Sequence, residues 1–221
     1  SAFVRGRAIH DNFMMVQGMA RKLHSLKQPA VMMKLDISKA FDSVLWPFAL
    51  EVLRALGFGP RWVSWIAGLL YTASTRILVN GVPGAPIQNR NGFRQGDPLS
   101  PMMFILMMEP LQRLFAMAGS QGVLSPLVGA PNQRVSIFAD DVMLFLKPEA
   151  QDLDLCNAIL GSFAGASGLR VNRAKTCAIP IRCTEEQVDR IARMLGCPVG
   201  AFPCRYLGLP LSLRKLTATQ L

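Results

Sequence analysis

An α+β domain, a small sheet with helices over one face, is what this sequence predicts. Three observations carry that expectation. Segments with three- and four-residue apolar spacing alternate with short, strand-like apolar runs. The 221 residues are 51% hydrophobic, enough for one substantial core. No Pro/Gly/Ser linker and no repeat interrupts them, so a single domain, with room for a small lobe, is expected.

The elements follow in order. Residues 8–27 read as a helix, because Ile9, Phe13, Val16, Met19, Ala20 and Leu23 recur at helical steps. Arg21, Lys22 and Lys27 suit its C-terminal end, and Pro29 breaks it. Val31–Leu35 is a strand whose interrupted alternation argues for burial on both faces, with Asp36 at its end. Pro47 opens a helix over 48–56 that Gly57 and Gly59 close, and Pro60 opens another through Ile66 and Leu70. Arg76–Val79 is a strand followed by an Asn80-Gly81 turn, with Pro86–Gln88 as the expected return. A polar loop, Phe93–Pro101, then opens a long apolar helix. Ser100 is its expected cap, Pro101 lies in its first turn and Pro110 is expected to bend it. Residues 119–134 are polar and turn-rich, and 135–145 read as a strand hairpin. A helix over 153–163 ends near Gly165 or Gly168, and short strands at 169–171 and 177–180 flank a turn. Thr184-Glu185-Glu186-Gln187 is a capping box, and 205–211 is a strand and turn.

Two acidic islands stand out against apolar flanks. In 135–145 the pair Asp140-Asp141 sits at the bend of the hairpin. In 32–42 Asp36 ends a buried strand. Carboxylates facing a core cost several kcal/mol unless paired or metal-bound. If the two strands are neighbours, about 4.8 Å apart, the acids can share hard cations such as Mg²⁺. Two such ions about 3.5–4 Å apart would serve an in-line phosphoryl displacement. A solvated turn is the plain alternative for Asp140-Asp141. The formal charge of +10, from 24 basic and 14 acidic residues, favours a polyanionic partner. No apolar run is long enough to span a bilayer, so no membrane partner is expected. Five cysteines without paired short spacing argue against zinc and for a reducing compartment.

The ordered set Leu35–Asp42, Arg94–Pro101 and Phe138–Asp141 resembles the palm region of a reverse transcriptase, in wording closest to non-LTR (LINE-type) retrotransposon enzymes, especially plant ones. Phe3–Arg7 resembles the end of their second fingers motif, Gly168–Thr176 the motif after the acidic hairpin, and Arg205–Leu211 the primer-side motif. The resemblance implies a palm-type antiparallel sheet backed by helices, with part of the fingers, over residues 1–221. It implies RNA-directed DNA polymerisation with Mg²⁺ or Mn²⁺, an RNA template, a DNA primer, deoxynucleoside triphosphates and a nuclear location. Asp36 and Asp140 would be metal-binding carboxylates, Asp141 the supporting acid and the Ile37 carbonyl a backbone ligand. Phe41 would exclude a 2′-hydroxyl. Arg94, Gln95, Gly96 and Pro98 would line the template and nucleotide side, and Lys175 would lie near the triphosphate. Tyr206, Leu207 and Gly208 would support the primer terminus.

Read without the resemblance, Phe41, Tyr206 and Leu207 serve equally as core residues, Arg94 and Lys175 as surface charges, and Asp97 as a brace for its loop. Arg5 stands where the group usually has proline, and Phe138 where many members have tyrosine. The chain begins Ser1-Ala2-Phe3, so a piece of a longer polyprotein is expected, with further fingers strands and a nuclease before it and a thumb after it. A non-catalytic nucleic-acid-binding remnant and another metal-dependent phosphoryl-transfer enzyme are the other readings.

Overall fold

The computed structural model describes Gly6, residues 8–127 and residues 134–214. The Phe3–Arg7 motif, Gly6 apart, lies outside the described residues. Helix α1 (Ile9–Ser25) leads into strand β1 (Ala30–Leu35). A four-residue helix α2 (Ala40–Ser43), not foreseen from periodicity, precedes α3 (Trp46–Ala55) and α4 (Pro60–Tyr71). Both longer helices carry Pro in the first turn, where its missing N–H has no intrahelical role. Four two-residue strands follow: β2 (Ser74–Thr75), β3 (Leu78–Val79), β4 (Val82–Pro83) and β5 (Ile87–Gln88). Then come α5 (Leu99–Ser120), β6 (Val135–Phe138), β7 (Asp141–Leu146) and α6 (Ala150–Ser167). The described chain closes with β8 (Cys177–Ile181), α7 (Glu185–Leu195), β9 (Cys204–Tyr206) and β10 (Leu209–Leu211).

The central sheet has the order β6-β7-β1-β8, antiparallel throughout. Side chains alternate between its faces. Val31, Met33 and Leu35 join Val142, Leu144 and Leu146 in the larger core, with residues of α3 to α7. Met32, Met143, Phe145, Ile179 and Ile181 point the other way, into a second core with Phe13, Val16, Met19 and Leu23 of α1 and with Tyr206 and Leu211. The sequence left this second face uncovered. It is instead covered by α1 and the β9–β10 hairpin, because β1, β7 and β8 are apolar on both sides. Among the described residues, the end of the sheet where β1 finishes and β6 turns into β7 borders a cleft.

Three local expectations change. The Asn80-Gly81 turn, with φ of 51° and 82°, sends β3 straight back as β4. That is the two-residue hairpin geometry those residues favour. Ile87–Gln88 pairs with β2 instead of with Arg76–Val79. Ser100 is buried at the start of α5 and caps nothing; the Asp97 carboxylate accepts from the Leu99 N–H at 2.8 Å and does the capping. Leu169–Val171 forms a single bridge, Ile37 to Val171, and no ladder. Pro110 sits inside α5, which runs on to Ser120. The Thr184 capping box forms as read, its side chain accepting from the Gln187 N–H.

Gly168 ends α6 in the left-handed region, with φ of 82°. Its open side faces the Ser43 carbonyl, and a Cβ there would overlap that oxygen and crowd Leu45. The Leu45 N–H donates to the Ser167 carbonyl at 2.8 Å, which locks the end of α6 against the α2–α3 link. Gly168→Ala adds left-handed strain to a backbone clash, and we expect a loss of about 2–4 kcal/mol in urea unfolding. A loss under about 0.5 kcal/mol would show that the link moves aside freely.

Candidate active site

The register of the sheet brings the two acidic islands together. The last registered pair of β1 and β7 is Leu35 with Val142. One step further along each strand stand Asp36 and Asp141, with Asp140 in the adjoining turn. Asp36, Ile37, Asp140, Asp141 and Lys175 line one cleft of about 390 Å³. Islands about a hundred residues apart in sequence thus meet because a central strand pairs with a hairpin.

The backbone around Asp36 is held from the β8 side. Its N–H donates to the Thr176 hydroxyl at 3.1 Å, and its carbonyl accepts from the Asn172 N–H at 2.8 Å. The Ser38 N–H donates to the Arg170 carbonyl at 2.9 Å. These bonds belong to the residues on either side of Ile37, so the N–H and carbonyl of Ile37 point away from Val171, toward the acidic hairpin. Asn172 also builds the turn that presents Lys175: its side-chain oxygen accepts from the N–H groups of Ala174 and Lys175 at 3.2 and 3.3 Å. Lys175 is exposed at the cleft.

Asp141 is half-buried. Burial pushes its carboxyl above the ordinary range, and the charges of Asp140 and Asp36 push the same way, opposed by Lys34. Ala139, beside Asp140, takes a φ of 54°, which tightens the turn and leaves Asp140 exposed.

The remaining predicted residues lie elsewhere. Phe41 is half-buried, its ring stacked on Phe104 with centroids 4.6 Å apart. Arg94 and Gln95 line a second, polar groove of about 720 Å³, together with Asp42, Thr75, Arg90 and Asn91. Gln95 donates to the Asp42 carboxylate at 3.1 Å, and the Phe93 N–H donates to the Phe41 carbonyl at 2.7 Å. The loop is therefore fastened to the turn that follows Asp36. Gly92 makes this possible: a Cβ there would stand 2.6 Å from the Asp42 carbonyl oxygen. Gly96, with φ of 86°, faces open space, and Pro98 is exposed at the N-cap of α5. Tyr206 is wholly buried, its hydroxyl 3.2 Å from that of Ser136, so of Tyr206, Leu207 and Gly208 the last two present surface. Burial also pushes the Tyr206 hydroxyl up.

Lys34, Cys177, Cys204 and Arg205 line the carboxylate cleft and were not foreseen. Lys34 was within reach of the sequence: two residues before Asp36 on a strand, it must share that acid's face. The cysteines and Arg205 arrive through tertiary pairing, which no local spacing announces.

The donor chemistry suits a hard cation. Three aspartates and Ile37 are among the residues lining the cleft, and no histidine is. Burial pushes both thiols there up, Cys204 to about 11. Among the described residues, however, no three or more His, Cys, Asp or Glu side chains stand close enough together to hold a metal.

Comparison with known proteins places the chain. The family model described as reverse transcriptase (RNA-dependent DNA polymerase) matches residues 1–211. The Transposon TX1 uncharacterized 149 kDa protein of Xenopus laevis is 30% identical over 178 residues, covering 80% of this chain and 13% of that protein. A Pol polyprotein from the type-1 retrotransposable element R2 of Popillia japonica is 32% identical over 161 residues, covering 72% of this chain and 26% of that one. The chain therefore spans about a quarter or less of these relatives. Among solved structures, telomerase from Candida albicans, in complex with a fragment of telomeric RNA, superposes with a TM-score of 0.59 at 15% identity, over 81% of this chain and 31% of that one. Apo telomerase from Candida tropicalis gives 0.61 at 12% identity, over 81% and 36%. At such identities these two speak for the fold alone, an α+β palm-type sheet backed by helices. By the family match the chain belongs to the reverse transcriptases, and it is related to the Pol proteins of R2- and TX1-type non-LTR retrotransposons.

Proposed function

We propose that this chain is the catalytic core of an RNA-directed DNA polymerase, which adds deoxynucleotides to a primer 3′-hydroxyl on an RNA template. The observation that carries the reading is the β1–β7 register, which brings Asp36, Asp140 and Asp141 to one cleft beside Lys175. Asp36, Asp140 and the Ile37 carbonyl would hold Mg²⁺ or Mn²⁺, with Asp141 supporting. Bound there, the cation would polarise the primer hydroxyl and offset charge on the leaving pyrophosphate. Lys175 meets the triphosphate as a point charge on a flexible stem. Arg94, Gln95, Gly96 and Pro98 take the template and nucleotide side, and Leu207 and Gly208, set in place by the buried Tyr206, support the primer end. Nuclear action and descent from a plant element belong to the same proposal.

Phe41 tests the choice of sugar. Its ring is backed by Phe104 and cannot easily yield. We expect the full chain to extend oligo(dT) on poly(rA) with deoxy- but not ribonucleotides. Phe41→Val should narrow that preference by about 10²-fold, the scale on which an apolar wall rejects an added hydroxyl. Equal use of both sugars by the wild type would remove Phe41 from the site.

A second reading, a nucleic-acid-binding remnant without activity, is favoured by the lack of a gathered metal cluster among the described residues. Template–primer binding without extension at any Mg²⁺ or Mn²⁺ concentration would select it.

A further inference from the structure

The β9–β10 hairpin is fastened to the rest of the protein in two ways. From the buried side, the Tyr206 ring packs on Phe13 with centroids 6.5 Å apart and its hydroxyl meets Ser136, which in turn accepts from the Asn12 side chain at 3.0 Å. From the cleft side, the Lys34 ammonium donates to the Arg205 carbonyl at 3.2 Å. Arg205 stands opposite Pro210. Proline has no N–H to give, so Arg205–Pro210 is the pair of this ladder that exchanges no bonds, and the Arg205 carbonyl points away from β10. Lys34 supplies its donor from outside the hairpin.

Lys34 is well placed for this. It lies on β1, the strand held between β7 and β8, in register with Met143 on one side and Cys177 on the other. Its backbone is thus among the least free in the sheet. Two residues on, and on the same face, is Asp36. The side chain therefore spans from the strand that ends in the cleft to the hairpin at the cleft's edge.

We propose that Lys34 is a positioning residue, which sets the height of the β9–β10 hairpin, and with it the Leu207-Gly208 turn, relative to the carboxylates. The mechanical link stands by itself; its effect on primer placement rests on the polymerase reading above. Arginine keeps the charge and the donors, while methionine keeps the length of the stem and loses both.

The test compares Lys34→Met and Lys34→Arg in the full chain, by hydrogen exchange of the β9–β10 amides and by primer extension. In Lys34→Met, exchange at Arg205–Leu209 should rise about tenfold, the scale of one lost charge-assisted bond, with β7 unchanged. The extension kcat should fall about tenfold while KM for the deoxynucleotide stays within about twofold. Lys34→Arg should restore both readouts. Unchanged hairpin exchange in Lys34→Met overturns the proposal, even if extension falls, because Lys34 would then act through its charge on the carboxylates or the substrate and not through the hairpin. A wild type that extends no primer defeats the polymerase reading, and the exchange comparison still decides whether Lys34 holds the hairpin.

Discussion

Asp140→Asn should slow primer extension by about 10³-fold while the chain stays folded. Asp140 is exposed in the β6–β7 turn, and Asn has nearly its shape, so stability should change by no more than about 0.5 kcal/mol. What the change removes is one of the charges that, on the proposed reading, hold the divalent cation. Metal stabilisation of transition-state charge is worth several kcal/mol, so the rate should drop by about 10³-fold, at about 1.4 kcal/mol per decade. Asp36→Asn should behave alike, since the bonds that fix Asp36 use its backbone and survive the substitution. Single-turnover extension on primed poly(rA), with circular dichroism as the folding control, measures both. A folded Asp140→Asn within twofold of the wild-type rate would end the assignment of Asp140 as a ligand.

The second large effect is on stability and lies away from the cleft. Asp152, in the first turn of α6, is fully buried, and Arg134, just before β6, is 3% exposed. One Asp152 oxygen accepts from the N–H and hydroxyl of Ser125 at 3.0 and 2.9 Å. The guanidinium donates to the Ser125 carbonyl, and its closest approach to the carboxylate is 4.0 Å. That is too long for a hydrogen bond, so the attraction is Coulombic. Burial pushes the Arg134 guanidinium down from its ordinary range, and the Asp152 charge opposes the shift. Asp152→Ala leaves a buried cation without its counter-charge and strips Ser125 of its acceptor. We expect a loss of about 3–5 kcal/mol in urea unfolding, a large part of the stability a domain of this size usually has. Arg134→Leu/Asp152→Leu should recover part of it, because the unpaired charge goes too. A single-variant cost below about 1 kcal/mol would mean that water reaches the pair.

The motifs made much of the lining of the carboxylate cleft legible in advance. Asp36, Asp140, Asp141, Ile37 and Lys175 were named from the chain and meet in one cleft. Asp97 bracing its own loop was one of the readings open from its place before Pro98. The Arg134–Asp152 pair was not legible, because Arg134 sits in a polar stretch and Asp152 reads as an ordinary acidic residue in the first turn of a helix. Nor was the burial of Tyr206. An aromatic in a short strand can face either way, and the decision fell to α1, whose Phe13 and Asn12 supply an apolar wall and a polar partner through Ser136.

By itself the sequence determined what can be settled within a few residues. Apolar spacing and the Thr184 box set α1, α3, α4 and α7, Gly168 ended α6, and Asn80-Gly81 turned β3 into β4. Each outcome follows from local sterics and capping bonds. Only the tertiary structure decided that β1 lies between β7 and β8, that α1 and the β9–β10 hairpin cover the second face of the sheet, and that Lys34 and Arg205 border the carboxylates. The physical reason is that strand register is chosen by burial. A one-residue slip between β1 and β7 would turn Met33 and Leu35 out of one core and Met32 out of the other. The same register holds Asp36 beside Asp141 at the end of the sheet that borders the cleft.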